Sequence, residues 1–128
     1  MPLYTVSTMD AIDAEKRQEV SKVIMDTHCG ITGAPETFVN VVFWQNVPLR
    51  PQYKANLVCA VRKGRTGEMN NTLQNEIRSN VSKALGFKTM ELELVLHEVP
   101  AQWVMEGGEV LPEPGEEAFC EWLQKGHG

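Results

Sequence analysis

The sequence lacks any hydrophobic run that approaches the roughly 18 apolar residues of a membrane span, and it does not begin with the basic and apolar segments of a signal peptide. Both absences predict a cytoplasmic protein with no membrane contact. The chain has 128 residues, of which 42% are hydrophobic. This composition suits one compact domain with a real core and leaves little room for a second. We therefore expect a single domain over residues 1–128.

Cysteine is scarce, and the placement of the few cysteines excludes two structural roles. The chain has three cysteines and no Cys-x-x-Cys pair, so the sequence predicts neither a disulfide framework nor a zinc cluster. The three histidines show no metal-ligand spacing. We expect reduced thiols, no metal and no cofactor. The cysteines are Cys29, Cys59 and Cys120.

Acidic residues are absent from one long stretch, whereas basic residues are absent from another. The net charge of −5 argues against a nucleic-acid partner. Thr37 to Gly67 contains no acid, and Thr89 to Gln124 contains nine glutamates but no lysine or arginine. Two interpretations stay open: two solvated surfaces that attract each other, or a small anion pocket. The positive charges of the acid-free stretch are Arg50, Lys54, Arg62, Lys63 and Arg65.

The first half of the chain reads as strand, helix, strand. Leu3 to Thr8 is typical of a short strand. Asp10 or Asp13 can cap the following helix, which should end between His28 and Gly33. Thr37 to Trp44 then predicts a strand, with apolar residues on both alternating faces.

The second half repeats this order. Lys54 to Arg62 predicts a strand and Glu68 to Leu85 a helix, which Gly86 should end. Alternating apolar residues from Met90 to His97 predict another strand, ended by Pro100. The tail from residue 101 should wrap over the core and form a short helix around Glu116 to Leu123.

The repeated order predicts an α/β (α+β) fold built from a doubled β-α-β unit. The units should span about residues 2–47 and 54–99, followed by a C-terminal extension over 100–128. Right-handed connections place both helices on one face of a four-stranded sheet. Because two helices cannot cover both faces, we expect neighbouring protomers to cover the other.

Pro2 is the first candidate for chemistry. A small second residue generally permits removal of Met1, which would leave a secondary amine at the terminus. An α-amino group titrates near pH 8, roughly, and burial or nearby cations lower that value, so it can act as a base or acid near neutrality. The strand that begins at Leu3 would hold this amine in place. The alternative is an ordinary N-terminal proline.

Arg62 and Arg65 are the second candidates, because they bracket the turn from the third strand to the second helix. Thr66 can cap that helix, whose N-terminus favours an anion. Two guanidinium groups at this place can bind a substrate carboxylate. The alternative is two solvated arginines beside a turn.

His28 and two glutamates complete the candidates. His28 lies on or beside the apolar face of the first helix, where a histidine is often purely structural, and its neighbour Cys29 points about 100° away and cannot pair with it. Glu116 and Glu117 follow Pro114-Gly115, where a turn can bring a carboxylate over a pocket to activate water.

Taken together, these motifs resemble the tautomerase superfamily, and within it the cis-3-chloroacrylic acid dehalogenase group. The resemblance spans nearly the whole chain, and the motifs occur in the family's order. They are Met1-Pro2-Leu3-Tyr4, Asp26 to Gly33, Arg62-Lys63-Gly64-Arg65, Glu98 to Gln102 and Leu111 to Gly115.

The resemblance implies a homotrimer in which Pro2 is the catalytic acid or base and His28, Arg62 and Arg65 bind a substrate carboxylate. It also implies a glutamate that activates water. Glu117 is the first choice for that role, and Glu116 and Glu121 are the alternatives. Where the family carries a tyrosine, this chain has Gly107. That departure favours proton transfer over carbon–halogen cleavage.

We therefore expect an enzyme that tautomerises a small unsaturated or 2-oxo carboxylate. One alternative is a hydratase or dehalogenase of 3-haloacrylate-type acids. The other is a non-catalytic trimer that binds a small anion.

Overall fold

Two strand-helix-strand units, one after the other, build the body of the protein in a computed structural model that describes residues 1–119. The helices are α1 (Ala14–Thr32) and α2 (Gly67–Leu85). The strands are β1 (Leu3–Thr8), β2 (Asn40–Trp44), β3 (Ala55–Arg62), β4 (Leu92–Val99), β5 (Met105–Glu106) and β6 (Glu109–Val110). Short 3-10 turns lie at Glu36–Phe38, Thr89–Glu91, Ala101–Trp103 and Glu117–Phe119.

The four long strands form one sheet in the order β2-β1-β3-β4. Each unit pairs its own two strands in parallel, and β1 and β3 join the units in an antiparallel pair at the centre. Both helices contribute to a core over one face of this sheet, where Val20 and Ile24 of α1 meet Leu73 and Ile77 of α2. The predicted fold class is therefore confirmed.

The ends of both helices follow their capping residues. The Asp13 side chain accepts a hydrogen bond from the backbone N–H of Lys16 at 2.7 Å, so Asp13 and not Asp10 caps α1. Thr66 caps α2 through the N–H of Met69. Gly33 and Gly86 end the helices in the left-handed conformation, at φ 74° and 75°.

Two predicted strand boundaries were wrong for the same reason. The second strand begins at Asn40 and not at Thr37, because a 3-10 turn over Glu36–Phe38 precedes it. A second 3-10 turn leaves Met90 75% exposed, so β4 begins only at Leu92 and then continues to Val99. These single turns have no periodicity that a sequence pattern would reveal.

The opposite face of the sheet carries apolar side chains that the described chain leaves open. In β2, Val41 and Phe43 pack on the core whereas Val42 and Trp44 are exposed. Leu3 of β1 and Val95 of β4 are exposed as well. The coverage of this face by neighbouring protomers stays a prediction. Within residues 1–119, neither helix has the length and apolarity required to cross a bilayer.

The C-terminal extension folds back towards the N-terminus. β5 and β6 pair as a hairpin whose turn residues, Gly107 and Gly108, have φ values of 61° and 83°. Leu111 after the hairpin is buried. The predicted short helix is described only as the 3-10 turn at Glu117–Phe119. The rest of it, with Cys120 and Glu121, lies outside the described residues. Cys29 and Cys59 are free thiols.

Candidate active site

The N-terminus is held in place on two sides. Pro2 is buried, and its carbonyl accepts a hydrogen bond from the backbone N–H of Asn40 at 3.0 Å. The ammonium group of Met1 donates to Oε2 of Glu106 at 2.6 Å. Contacts with β2 and with the β5–β6 hairpin therefore fix the start of β1.

His28 lies in the last turns of α1 and points into the core. Its Nδ1 atom lies 2.6 Å from the Tyr4 hydroxyl, and both side chains are fully buried. Burial raises the pKa of Tyr4 far above its ordinary value, so the phenol keeps its proton. A phenol that donates to Nδ1 leaves the proton of a neutral imidazole on Nε2. His28 then offers one N–H donor on the side away from Tyr4.

The charge state of His28 follows from its surroundings. Burial, together with the positive charges of Arg65, Arg62 and the N-terminal ammonium, lowers its pKa to about 3. His28 is therefore neutral near pH 7.

Arg62, the last residue of β3, is almost completely buried at 2% exposure. Its guanidinium group donates to the Pro112 carbonyl at 2.6 Å and to Oε1 of Glu117 at 2.5 Å. Its Cζ atom lies 5.4 Å from the centroid of the Phe38 ring, within the range of a cation–π contact. The C-terminal extension thus fixes this side chain from one side and Phe38 fixes it from another.

Arg65 stands at the start of the turn into α2. It donates to the Arg62 carbonyl at 3.3 Å, and burial together with the Arg62 charge lowers its pKa. Gly64 has a φ of 119°, and a Cβ at this position would lie 3.6 Å from Pro114. The extension therefore packs directly on the turn that carries the two arginines.

Two of these groups leave a buried donor unused. Among residues 1–119, neither Nε2 of His28 nor Nε of Arg62 has a hydrogen-bond partner. A buried polar group without a partner costs free energy, about 1–3 kcal/mol, and most such groups in proteins are satisfied. Both atoms are N–H donors, so the group that would satisfy them is an acceptor.

The three candidate glutamates have different positions. The Glu117 carboxylate is bonded to Arg62. Burial would raise its pKa, but the hydrogen bond and the positive charge of Arg62 lower it below the ordinary value. Glu116 is exposed, and Glu121 lies outside the described residues. Of the two described, Glu117 is the one bonded to a candidate arginine.

Within residues 1–119, the two charged stretches of the sequence meet in three ion pairs. Arg50 pairs with Glu93 at 3.3 Å and Lys54 with Glu91 at 3.1 Å, both with an exposed basic side chain. The third pair, Arg62 with Glu117, is the buried one. The interpretation as mutually attracting surfaces is confirmed by the first two pairs.

Comparison with known proteins identifies the family. The Tautomerase_3 family, whose description is "Putative oxalocrotonate tautomerase enzyme", matches residues 1–127. The chain belongs to the tautomerase superfamily. A crystal structure of N1, a member of the cis-3-chloroacrylic acid dehalogenase family, has a TM-score of 0.85 and 30% sequence identity over 94% of this chain and 90% of that one. The predicted family is therefore confirmed.

Two more distant tautomerase-fold structures share the fold alone. The F6 fused 4-OT asymmetric trimer has a TM-score of 0.77 at 15% identity, covering 85% of this chain and 95% of that one. Pt0534 inactivated by 2-oxo-3-pentynoate has a TM-score of 0.75 at 23% identity, covering 85% and 96%. No curated protein matches the sequence.

Sequence reasoning assigned no role at this site to three residues, although Tyr4 belongs to a motif that carried the family resemblance. Tyr4 is bonded to His28, Phe38 lies under Arg62, and Glu106 binds the N-terminal ammonium. Tyr4 alternates with Val6 in a strand and reads as an ordinary core residue. Glu106 is one of nine similar glutamates. No pattern in the sequence distinguishes these three residues from their neighbours.

The low pKa of His28 predicts a specific pH dependence of stability in this tautomerase-family protein. The unfolded chain takes up a proton on His28 near pH 6.5, roughly, whereas the folded chain does so only near pH 3. Between these values the unfolded state binds more protons, so the free energy of unfolding falls by up to about 1.4 kcal/mol per pH unit on acidification. Chemical denaturation at pH 6.5 and pH 5 measures this slope.

The matched variants for this test are His28→Gln and His97→Gln. Removing the buried histidine should flatten the slope over this interval, and His97→Gln is the control for replacing an exposed histidine. Because the interval lies above the ordinary pKa of glutamate, loss of the Glu117 ion pair contributes little. An equal slope in wild type and His28→Gln would contradict the buried, neutral state of His28.

Proposed function

We propose that this chain, once Met1 is removed, is a proline-dependent tautomerase that acts on a small unsaturated or 2-oxo carboxylate. The observation that carries the proposal is the pair of buried, unpaired N–H donors on His28 and Arg62. A carboxylate is an acceptor with several lone pairs, and it suits a site where two arginines supply positive charge. Arg65 is the third member of this carboxylate site.

In the proposed reaction Pro2 moves the proton. As a free amine it accepts the proton of an enol hydroxyl group, and as an ammonium it delivers a proton to the neighbouring carbon, which gives the keto acid with no net gain or loss of atoms. His28, Arg62 and Arg65 hold the substrate carboxylate, so the reacting carbon is fixed relative to the amine. No metal or cofactor takes part in this scheme.

Hydration or dehalogenation of a 3-haloacrylate-type acid is the second candidate, and Glu117 is the observation in its favour. The lowered pKa of this carboxylate keeps it ionised, in the form that accepts a proton from water. Gly107 argues against this candidate, because the resemblance places a tyrosine here and this chain has none. The hairpin also has a φ of 61° at this position, where a tyrosine would be strained.

We also propose that the working form is a homotrimer. The exposed apolar side chains of the open sheet face, among them Val42 and Trp44, favour coverage by other protomers. The fused 4-OT relative is described as a trimer. Sedimentation measures the assembly directly.

The substrate panel separates the two catalytic candidates. Protein whose intact mass shows loss of Met1 is assayed for ketonisation of phenylenolpyruvate and for chloride release from cis-3-chloroacrylate. We expect ketonisation well above the rate in buffer and no chloride release above background. Chloride release with no ketonisation would overturn the tautomerase proposal in favour of the dehalogenase, and no activity on either acid would favour a non-catalytic binding protein.

A further inference from the structure

The Met1 side chain fills an apolar recess beside the candidate site. It packs against a small cluster of buried residues, Phe38, Ala101 and Leu111, together with the half-buried Val104. Only 9% of its surface is exposed. This cluster is separate from the main core between the helices and the sheet. A methionine with both its ammonium group and its side chain engaged is unusual for a chain terminus, which is ordinarily free to move.

The recess adjoins the carboxylate site through two residues. Phe38 belongs to the cluster against which Met1 packs, and its ring centroid also lies 5.4 Å from Cζ of the Arg62 guanidinium. Leu111 precedes Pro112, whose carbonyl accepts a hydrogen bond from Arg62. The recess that Met1 occupies and the proposed carboxylate site are therefore adjacent, because Phe38 and the Leu111-Pro112 segment contribute to both. Removal of Met1 exposes the Pro2 nitrogen and empties this recess in one step.

The recess is apolar, and the charged group bonded to Met1 is a carboxylate. Glu106 pairs with the Met1 ammonium, the cluster against which Met1 packs is apolar, and the nearby Arg62 is already paired with Glu117. A second carboxylate at the far end of a substrate would meet an apolar wall and the Glu106 carboxylate. Burying a charge without a partner is costly, so a dicarboxylate fits this recess poorly.

We infer that the recess filled by Met1 in the unprocessed chain binds the apolar end of the substrate. The inference rests on the proposed function, and it names the substrate class: a monocarboxylic 2-oxo or unsaturated acid with an unbranched or flat apolar tail about as long as a methionine side chain. A three-carbon acid would leave the recess empty. A depression of about 570 Å³, lined by Leu3, Ala60 and Trp103 beside Met1, opens the recess to solvent.

Saturated acids test the inference without any reaction. Hexanoate and adipate have the same number of carbons and differ in a terminal methyl group or a second carboxylate, while propanoate has the carboxylate but no tail. Calorimetric titration of processed protein should give a Kd for hexanoate at least about tenfold lower than for either other acid, since each buried methylene contributes a factor of about four. Equal or tighter binding of adipate or propanoate, or no binding of hexanoate, overturns the inference.

The unprocessed chain is the matched control, and it needs no substitution that might unfold the protein. Inhibition of methionine aminopeptidase in the expression host gives protein that retains Met1, which intact mass verifies. In this form the recess is filled, so the preference for hexanoate over propanoate should disappear. An unchanged preference would place the tail elsewhere and overturn the inference.

Failure of the inference is distinguishable from failure of the proposed function. Saturated acids do not depend on proton transfer by Pro2, and ketonisation of phenylenolpyruvate does not depend on which tail binds best. An active enzyme that prefers adipate would keep the proposed function and reject the apolar recess. An inactive protein that prefers hexanoate would do the reverse.

Discussion

Replacing Pro2 by alanine is expected to lower kcat/KM for ketonisation of phenylenolpyruvate by at least about a hundredfold, the lower end of what a positioned acid or base contributes. Alanine also permits removal of Met1, so a primary amine takes the place of the proline ring nitrogen. The pyrrolidine ring prevents rotation about the N–Cα bond and so holds the amine in one orientation. A primary amine rotates freely, and a small misplacement of a reacting group is costly.

Met90→Ala is the control for this experiment. Met90 is 75% exposed in the 3-10 turn before β4, at the opposite end of the sheet from Pro2, so its truncation should change kcat/KM little. Circular dichroism and a denaturation curve establish that both variants fold. Wild-type rates in folded Pro2→Ala would remove Pro2 from the mechanism.

Arg62→Ala should have the second large effect, on both binding and stability. The guanidinium group supplies an unpaired donor for the substrate and also holds Pro112 and Glu117 of the C-terminal extension. Removing one partner of a buried charged hydrogen bond costs about 2–5 kcal/mol. We expect kcat/KM to fall at least about thirtyfold, mainly through KM, and the free energy of unfolding to fall by at least about 2 kcal/mol.

Two further variants keep this prediction decisive. Arg50→Ala also removes an arginine from an ion pair with a glutamate, but the Arg50 side chain is 72% exposed, so the expected loss of stability is below about 1 kcal/mol with no loss of activity. Arg62→Lys keeps the charge but loses the planar fork of donors, so it should fold and still show a raised KM. An unchanged KM in folded Arg62→Lys would count against the carboxylate site.

Local signals account for the parts of the fold that the sequence predicted. Asp13, Gly33, Thr66 and Gly86 act within one helical turn of their own positions, so the helix ends are readable without tertiary contacts. The strand β1 was predicted with its observed bounds, Leu3 to Thr8. Its residue pattern is local, and the structure buries Tyr4 and Val6 on the core face of this strand. The sequence also placed Arg62 and Arg65 correctly at the turn between β3 and α2, because the strand pattern and the Thr66 cap are both local signals.

The site needed contacts that no local pattern encodes. Tyr4 and His28 lie 24 residues apart in the sequence, Arg62 and Glu117 lie 55 apart, and Met1 and Glu106 lie 105 apart. Composition left two interpretations of the basic and acidic stretches open, mutually attracting surfaces or a small anion pocket. It did not predict which glutamate would reach Arg62, because that depends on the path of the extension over Gly64. The boundaries of the β-α-β units and the roles of the site residues stay predictions.

The burial of Met1 limits when the proposed removal of this residue can take place. An aminopeptidase must grip the first residue of an extended chain, yet in the folded protein that residue is enclosed and its ammonium group is paired with Glu106. Excision therefore has to occur while the nascent chain is still unfolded, before β1 enters the sheet. Molecules that fold first would accumulate as a stable, unprocessed species. The ratio of protein with Met1 to protein without it in a preparation would then report the rate of excision relative to the rate of folding.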